Sequence, residues 1–172
     1  MRTITAVVAT VVSGLTVMPA VAQESKTVEI TPYVAVGTAG ASPVGAAVTR
    51  PITSSLSVET NVAYRRGEGR LNALSTNASL LWHLPSIGQV SPYLAGGVGV
   101  AQYGTPVLSL SGPPVGTQAR LAMTVNAGGG VKMPVGEKVD LRTDARWFKS
   151  VGSQGIEQFR VAQGLSFDVR RK

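Results

Sequence analysis

Apolar and polar residues alternate along most of the chain. Between residues 121 and 133 every second residue is uncharged, and the alternation resumes at Val139 after a turn that contains Pro134 and Gly136. Period two is typical of a β-strand, because successive side chains leave a pleated backbone on opposite faces. The segment therefore predicts a β-hairpin with one uncharged face and a charged face on its second strand. The charged positions are Asp140, Arg142, Asp144 and Arg146.

The same alternation recurs in segments that are separated by turns rich in Gly and Pro. In chain order, the predicted strands cover residues 27–38, 44–50, 55–66, 70–84, 90–103, 119–133, 139–148 and 157–170. Evenly spaced strands without helical periodicity are typical of an antiparallel up-and-down barrel or a sandwich. Closure into a barrel removes the edges that would otherwise aggregate. Most of the segments are also long enough for a tilted strand to cross a bilayer.

Alternation alone does not tell which face lies inside the barrel. A soluble lipocalin-like barrel turns its apolar face inward to bind an apolar ligand, and a membrane barrel does the reverse. Three features favour the membrane barrel. Aromatic residues lie near strand ends on the apolar face, Gly, Ala and Ser are frequent on the charged face, and Lys and Glu are scarce for a surface in water. We therefore predict an all-β fold, an eight-stranded antiparallel up-and-down transmembrane β-barrel.

This orientation assigns the aromatic residues and the charges to opposite sides of the wall. The aromatic residues expected at the lipid interface are Tyr64, Trp82, Trp147, Phe159 and Phe167. The charge network expected in the lumen consists of Glu29, Glu59, Arg120, Arg142, Asp144, Arg146, Arg160 and Asp168. Eight strands leave space for side chains rather than for an open channel, and buried charges must pair. We expect Glu59 and Asp144 to pair with neighbours among the arginines at 142, 146 and 160.

The N-terminus has a different character from the rest of the chain. Arg2 precedes a mildly apolar segment, residues 4–18, and Ala20 and Ala22 form the small-x-small pattern that signal peptidase requires. We expect residues 1–22 to be a secretory signal peptide and residues 23–172 to form the barrel domain. An uncleaved anchor helix is the alternative, and the polar residues within the segment weaken it. The chain has no Cys, so an exported fold has no disulfides.

Three stretches resemble the small bacterial outer-membrane β-barrel family, the OmpA/OmpX-like and opacity-protein-like domains. They are Ser91–Ala101 (SPYLAGGVGVA), Asn126–Lys132 (NAGGGVK) and Asp140–Phe148 (DLRTDARWF). The resemblance implies a location in the bacterial outer membrane, contact with its lipid, and assembly by the barrel-insertion machinery. Members of the family often end on an aromatic residue that this machinery recognises. Here Phe167 is followed by Asp168, Val169 and a basic tail, which departs from that pattern.

Candidate catalytic and cofactor chemistry is sparse. His83 is the only histidine. Lipid A deacylases are outer-membrane barrels that use Ser, His and Glu together, but we expect His83 to face the lumen and no serine to serve it, since Ser86 lies in a turn. The glycine stretches 96–99 and 128–130 open no helix that could cradle a phosphate, and close strand packing explains them better. We therefore predict no enzyme activity, no cofactor and no metal site.

Positive charge adds one further candidate site. The net charge is +7, yet no basic stripe with interleaved aromatic residues indicates nucleic-acid binding. Arg65, Arg66 and Arg70 cluster at a predicted hairpin tip, where they either bind lipopolysaccharide phosphates or remain solvated. The expected role is structural or interactive, for membrane integrity or surface contact by a monomer. The alternatives are a soluble carrier of an apolar ligand and a narrow channel for small solutes.

Overall fold

A computed structural model describes residues 27–38, 42–66, 72–106, 117–151 and 157–169 of the chain. The proposed signal peptide, residues 1–22, lies outside the described residues, as does Arg70. Within the described ranges no helix is long and apolar enough to cross a membrane.

Each strand pairs antiparallel with its neighbours in the chain, and the last strand closes onto the first. The strands are β1 (Val28–Gly37), β2 (Val44–Pro51), β3 (Leu56–Arg65), β4 (Asn72–His83), β5 (Ser91–Pro106), β6 (Thr117–Gly136), β7 (Val139–Val151) and β8 (Glu157–Val169). Together they form a closed barrel in the order β1 to β8. The predicted eight-stranded up-and-down barrel is therefore confirmed.

Several strands are longer than the alternation predicted. β5 and β6 remain paired as far as Pro106 and Thr117, and β7 continues to Val151 within a segment predicted to be a loop. Backbone pairing between two strands needs no apolar face, so the hydrophobic pattern ends before the ladder does. The predicted turn at residues 134–138 is also shorter than expected. Pro134 belongs to β6, where a register shift between Pro134 and Gly136 accommodates it, and only residues 137–138 form the turn.

The two faces of the wall have the predicted orientation. Valine and leucine side chains cover the outside, and many are more than half exposed, as at Val34, Val98 and Leu121. The buried side chains come from the opposite face and are mostly small or polar. A soluble carrier of an apolar ligand would need the reverse arrangement, since its apolar side chains would line the interior.

The predicted interface aromatics all lie on the outer wall, near its two ends. We call the end with the connections at 52–55, 84–90 and 137–138 the lower end, and the opposite end the upper end. Tyr64, Trp147 and Phe159 lie toward the upper end, and Trp82 and Phe167 toward the lower end. The two phenylalanines share one face of β8, and the tilt of barrel strands places them about 20 Å apart along the barrel axis. This spacing approaches the height of the apolar band of transmembrane barrels.

Inside the wall, tyrosine rings lie over glycines of the adjacent strand. A Cβ added to Gly45 would lie 2.6 Å from the Cζ atom of Tyr33, and one added to Gly130 would lie 2.7 Å from the Cβ of Asp144 and against the hydroxyl of Tyr93. Glycine is therefore required at these positions, because a side chain would displace both the tyrosine and the backbone of the neighbouring strand. The carbonyl oxygen of Val62 would lie against the Cβ added to Gly45, and that of Thr143 would lie 2.5 Å from the Cβ added to Gly130.

Replacing Gly130 with Ala is expected to lower the free energy of unfolding by about 1–3 kcal/mol, because the packed neighbours must shift. Denaturant unfolding in detergent micelles measures the change. Gly96→Ala is the matched control, since Gly96 lies on the exposed outer face and an added Cβ would lie 3.9 Å from its nearest neighbour, the carbonyl oxygen of Asn126. Equal stability of the two variants would contradict the packing argument.

Candidate functional site in the lumen

A buried cluster of charges crosses the lumen between opposite walls of the barrel. β3 and β7 are four strands apart in a ring of eight, so their inward side chains face each other. The Glu59 carboxylate lies 2.6 Å from Arg142 Nη2 through Oε2, and 2.8 Å from Arg146 Nη2 through Oε1. Asp144 Oδ2 lies 3.1 Å and 3.4 Å from the same two guanidinium groups. Because Glu59 is only 1% exposed, it depends on these arginines for compensation.

Tyr93 extends this cluster and was missed by the sequence analysis. Its hydroxyl accepts a hydrogen bond from Arg142 Nε at 2.7 Å and donates one to Asp144 Oδ2 at 3.1 Å. The Arg142 guanidinium also lies 5.0 Å from the centre of the tyrosine ring. Roles were predicted only for aromatic residues on the apolar face, whereas Tyr93 lies on the opposite face, and that position in the sequence was the signal for a lumen role.

A layer of amide and hydroxyl side chains crosses the lumen beside the charges. Thr124 donates to Asn77 Oδ1 at 3.1 Å, and the Asn77 amide lies 3.4 Å from Asn61 Oδ1. Ser79 donates to Asn126 Oδ1 at 3.2 Å. The central gap that remains has a volume of about 10 Å³, enough for about one water molecule. In the described part of the barrel, these buried side chains occupy the middle of the lumen.

Arg160 has a different environment from the other lumen arginines. Its guanidinium carbon lies 4.4 Å from the ring centre of Phe148 and 5.3 Å from that of Tyr33. Within the described part of the chain, no carboxylate lies within ion-pairing distance of Arg160. The structure thus brings Glu59 and Asp144 together with two of the three candidate arginines, and aromatic rings surround the third.

The other predicted lumen charges lie toward the ends of the barrel. Lys132 forms an ion pair with Glu29 beside an open vestibule of about 510 Å³ at the lower end. Asp168 is exposed at the end of β8. Arg120 lies in β6 opposite Tyr103, and the structure does not describe its side chain. The predicted network is therefore divided into a central cluster and separate groups near the openings.

His83 does have a serine partner, so the expectation that none would serve it was wrong. Its Nε2 lies 2.9 Å from Ser57 Oγ, and its ring is tilted against that of Tyr93. The pairing of β3 with β4 creates this contact, which spacing along the chain does not reveal. Ser57 is only 3% exposed, and no described carboxylate hydrogen-bonds to His83.

The three arginines of the predicted hairpin tip do not all point outward. Arg65 lines the upper end of the lumen, whereas Arg66 is exposed and Arg70 lies outside the described residues. Among the residues that the structure describes, no group of three or more His, Cys, Asp or Glu side chains could hold a metal ion.

An apolar outer wall with aromatic residues near both ends, around a lumen filled by polar side chains, defines the transmembrane β-barrel class of fold. Solved structures with this fold resemble the chain closely in shape. The N-terminal β-barrel domain of Pseudomonas aeruginosa OprF has a TM-score of 0.67 at 14% identity, and the match covers 86% of this chain and 100% of that domain. Neisserial surface protein A has a TM-score of 0.62 at 14% identity, with 84% and 96% covered.

A third similar structure is that of the outer membrane enzyme PagL, with a TM-score of 0.52 at 15% identity and coverage of 82% of this chain and 99% of PagL. No family model matches the chain, and no curated protein matches it in sequence. At these identities the similarity concerns the fold. The resemblance to small outer-membrane barrels, inferred from three short stretches, is confirmed at that level.

Proposed function

We propose that the protein is a monomeric barrel of the bacterial outer membrane with a structural and surface-contact role. The observation that supports this most is the outer wall, where large apolar side chains such as Val34 and Leu121 are exposed over the full circumference. Such a surface is unfavourable in water and favourable against acyl chains. Outer-membrane lipid is then the principal partner. The proposed contact with lipopolysaccharide phosphates remains the hairpin tip with Arg65, Arg66 and Arg70, and the exposure of Arg66 supports it.

Export and assembly follow from the same proposal. A signal peptide of residues 1–22 directs export and is removed before Gln23, and the barrel-insertion machinery folds the remaining chain into the membrane. If protein isolated from outer membranes has the intact mass of a chain that still begins at Met1, this processing does not occur.

We further propose that the barrel is neither an enzyme nor an open channel. Insertion of the purified protein into planar bilayers is expected to give no resolved conductance steps, because the central cluster and the amide layer fill the lumen. The Tyr93→Ala variant, which removes a ring crossing the lumen, tests whether the assay detects an opening. Regular conductance steps from the wild-type protein would favour the narrow channel instead.

Membrane fractionation followed by gel electrophoresis tests the location. We expect the protein in the outer-membrane fraction, with a mobility that changes on heating because the folded barrel resists detergent. Recovery of folded protein in the aqueous fraction without detergent would overturn the proposal.

A further inference from the structure

The upper end of the lumen contains a cup that the proposed structural role does not use. It has a volume of about 60 Å³ and lies above the layer formed by Asn77 and Thr124. Its walls combine aromatic rings, neutral polar side chains and two arginines, Arg65 and Arg160. Those that matter for recognition are Ser75, Tyr103, Phe148, Gln158 and Arg160.

Arg160 provides the buried charge of the cup. The residue is 4% exposed, and its Nε has no hydrogen-bond partner. The faces of Phe148 and Tyr33 stabilise the guanidinium by cation–π contact, but they provide no acceptor for its Nε–H group. A buried cation without a counter-ion is costly, so an anion that reaches it gains a charge-assisted hydrogen bond.

The central lumen carboxylates form ion pairs with arginines other than Arg160. Glu59 and Asp144 bind the guanidinium groups of Arg142 and Arg146, which balances two negative charges against two positive ones. None of the described residues that line the cup is an aspartate or a glutamate. Among the described residues, the charged side chains that line the cup are therefore all cationic.

We propose that this cup binds a small oxyanion, a carboxylate or a phosphate group, with Arg160 as the principal ligand and the Gln158 amide and Ser75 hydroxyl as further donors. The planar guanidinium matches both groups because it can donate two parallel hydrogen bonds. The volume admits one such group, either as a free ion or as the end of a larger molecule such as an acidic sugar. The site is independent of the proposed membrane role.

Titration of the ¹⁵N-labelled barrel in detergent micelles tests the site through the Nε–Hε signal of Arg160. Acetate, inorganic phosphate and glucuronate are added at constant ionic strength, with chloride as the reference ion. We expect saturable shifts with the oxyanions and a weak, unsaturated response to chloride. Tighter binding of glucuronate than of acetate assigns the cup to a group carried on a sugar, and equal binding assigns it to the free ion.

Two variants locate the binding, and both are checked for folding by their heat-modifiable mobility. Arg160→Gln and Ser75→Leu, which fills the cup without removing its charge, are each expected to weaken oxyanion binding at least about tenfold, as measured by other signals from the cup or by calorimetry. Arg50→Gln removes an exposed arginine at the lower end of β2, outside the cup, and should leave the affinity unchanged. If the Arg160→Gln variant does not fold, the Ser75→Leu variant alone tests whether the oxyanion binds in the cup. Undiminished binding in the folded variants, or shifts that chloride reproduces, would overturn the proposal.

Discussion

Replacing Glu59 with Gln is expected to destabilise the folded barrel by about 3–5 kcal/mol, because two buried guanidinium groups then share one carboxylate. Glu59 accepts from Arg142 at 2.6 Å and from Arg146 at 2.8 Å, and Asp144 lies farther from both. The Gln side chain keeps the shape of Glu59 but removes its charge, so the loss reports on ion pairing rather than on packing.

The matched control is Glu157→Gln. Glu157 pairs with Lys149 at 2.9 Å, a distance similar to those of Glu59, but the two side chains are 52% and 47% exposed. Exposed pairs contribute about 0–1 kcal/mol, so this variant should unfold almost as the wild type does. Denaturant titration followed by the fluorescence of Trp82 and Trp147 measures both. Comparable losses in the two variants would show that the lumen is hydrated enough to screen the cluster.

The strands could be predicted from the sequence because the barrel wall imposes one rule on every strand. Residues that face lipid must alternate with residues that face the lumen. The apolar Val34 therefore indicates the outer face, and its neighbour Tyr33 lies on the lumen face. The same rule placed Glu59 and the arginines of β7 on one face. Closure of eight strands then sets β3 opposite β7, which is why the central pairs were among those expected.

The contacts that escaped prediction depend on register and on the reach of side chains. Ser57 meets His83 because of the register between β3 and β4, and alternation does not specify that register. Arg160 lies between two aromatic rings instead of beside a carboxylate, since the length of its side chain and the neighbouring strands determine what it reaches. The extension of β5 and β6 beyond the apolar pattern was missed because backbone pairing continues where the outer face no longer matters.

A charged residue introduced at the middle of the outer surface tests whether the barrel wall faces lipid. Val34 is 61% exposed and pairs in register with Gln163, which lies midway along β8 between Phe159 and Phe167. In a bilayer this position faces the hydrocarbon centre. Val34→Arg is therefore expected to cost about 2–4 kcal/mol of folding free energy in lipid vesicles, measured by reversible denaturant unfolding.

Val151→Arg provides the comparison that separates a membrane barrel from a soluble one. Val151 is 59% exposed on the same outer face, but it lies four residues beyond Trp147 toward the upper end. An arginine there reaches headgroups or water, and its cost should fall to about 0–1 kcal/mol. For a barrel surrounded by water both positions are equivalent, since each is an exposed strand residue. A larger loss of folding free energy in Val34→Arg than in Val151→Arg therefore requires an apolar medium around the wall. Equal and small losses in the two variants would favour the soluble carrier.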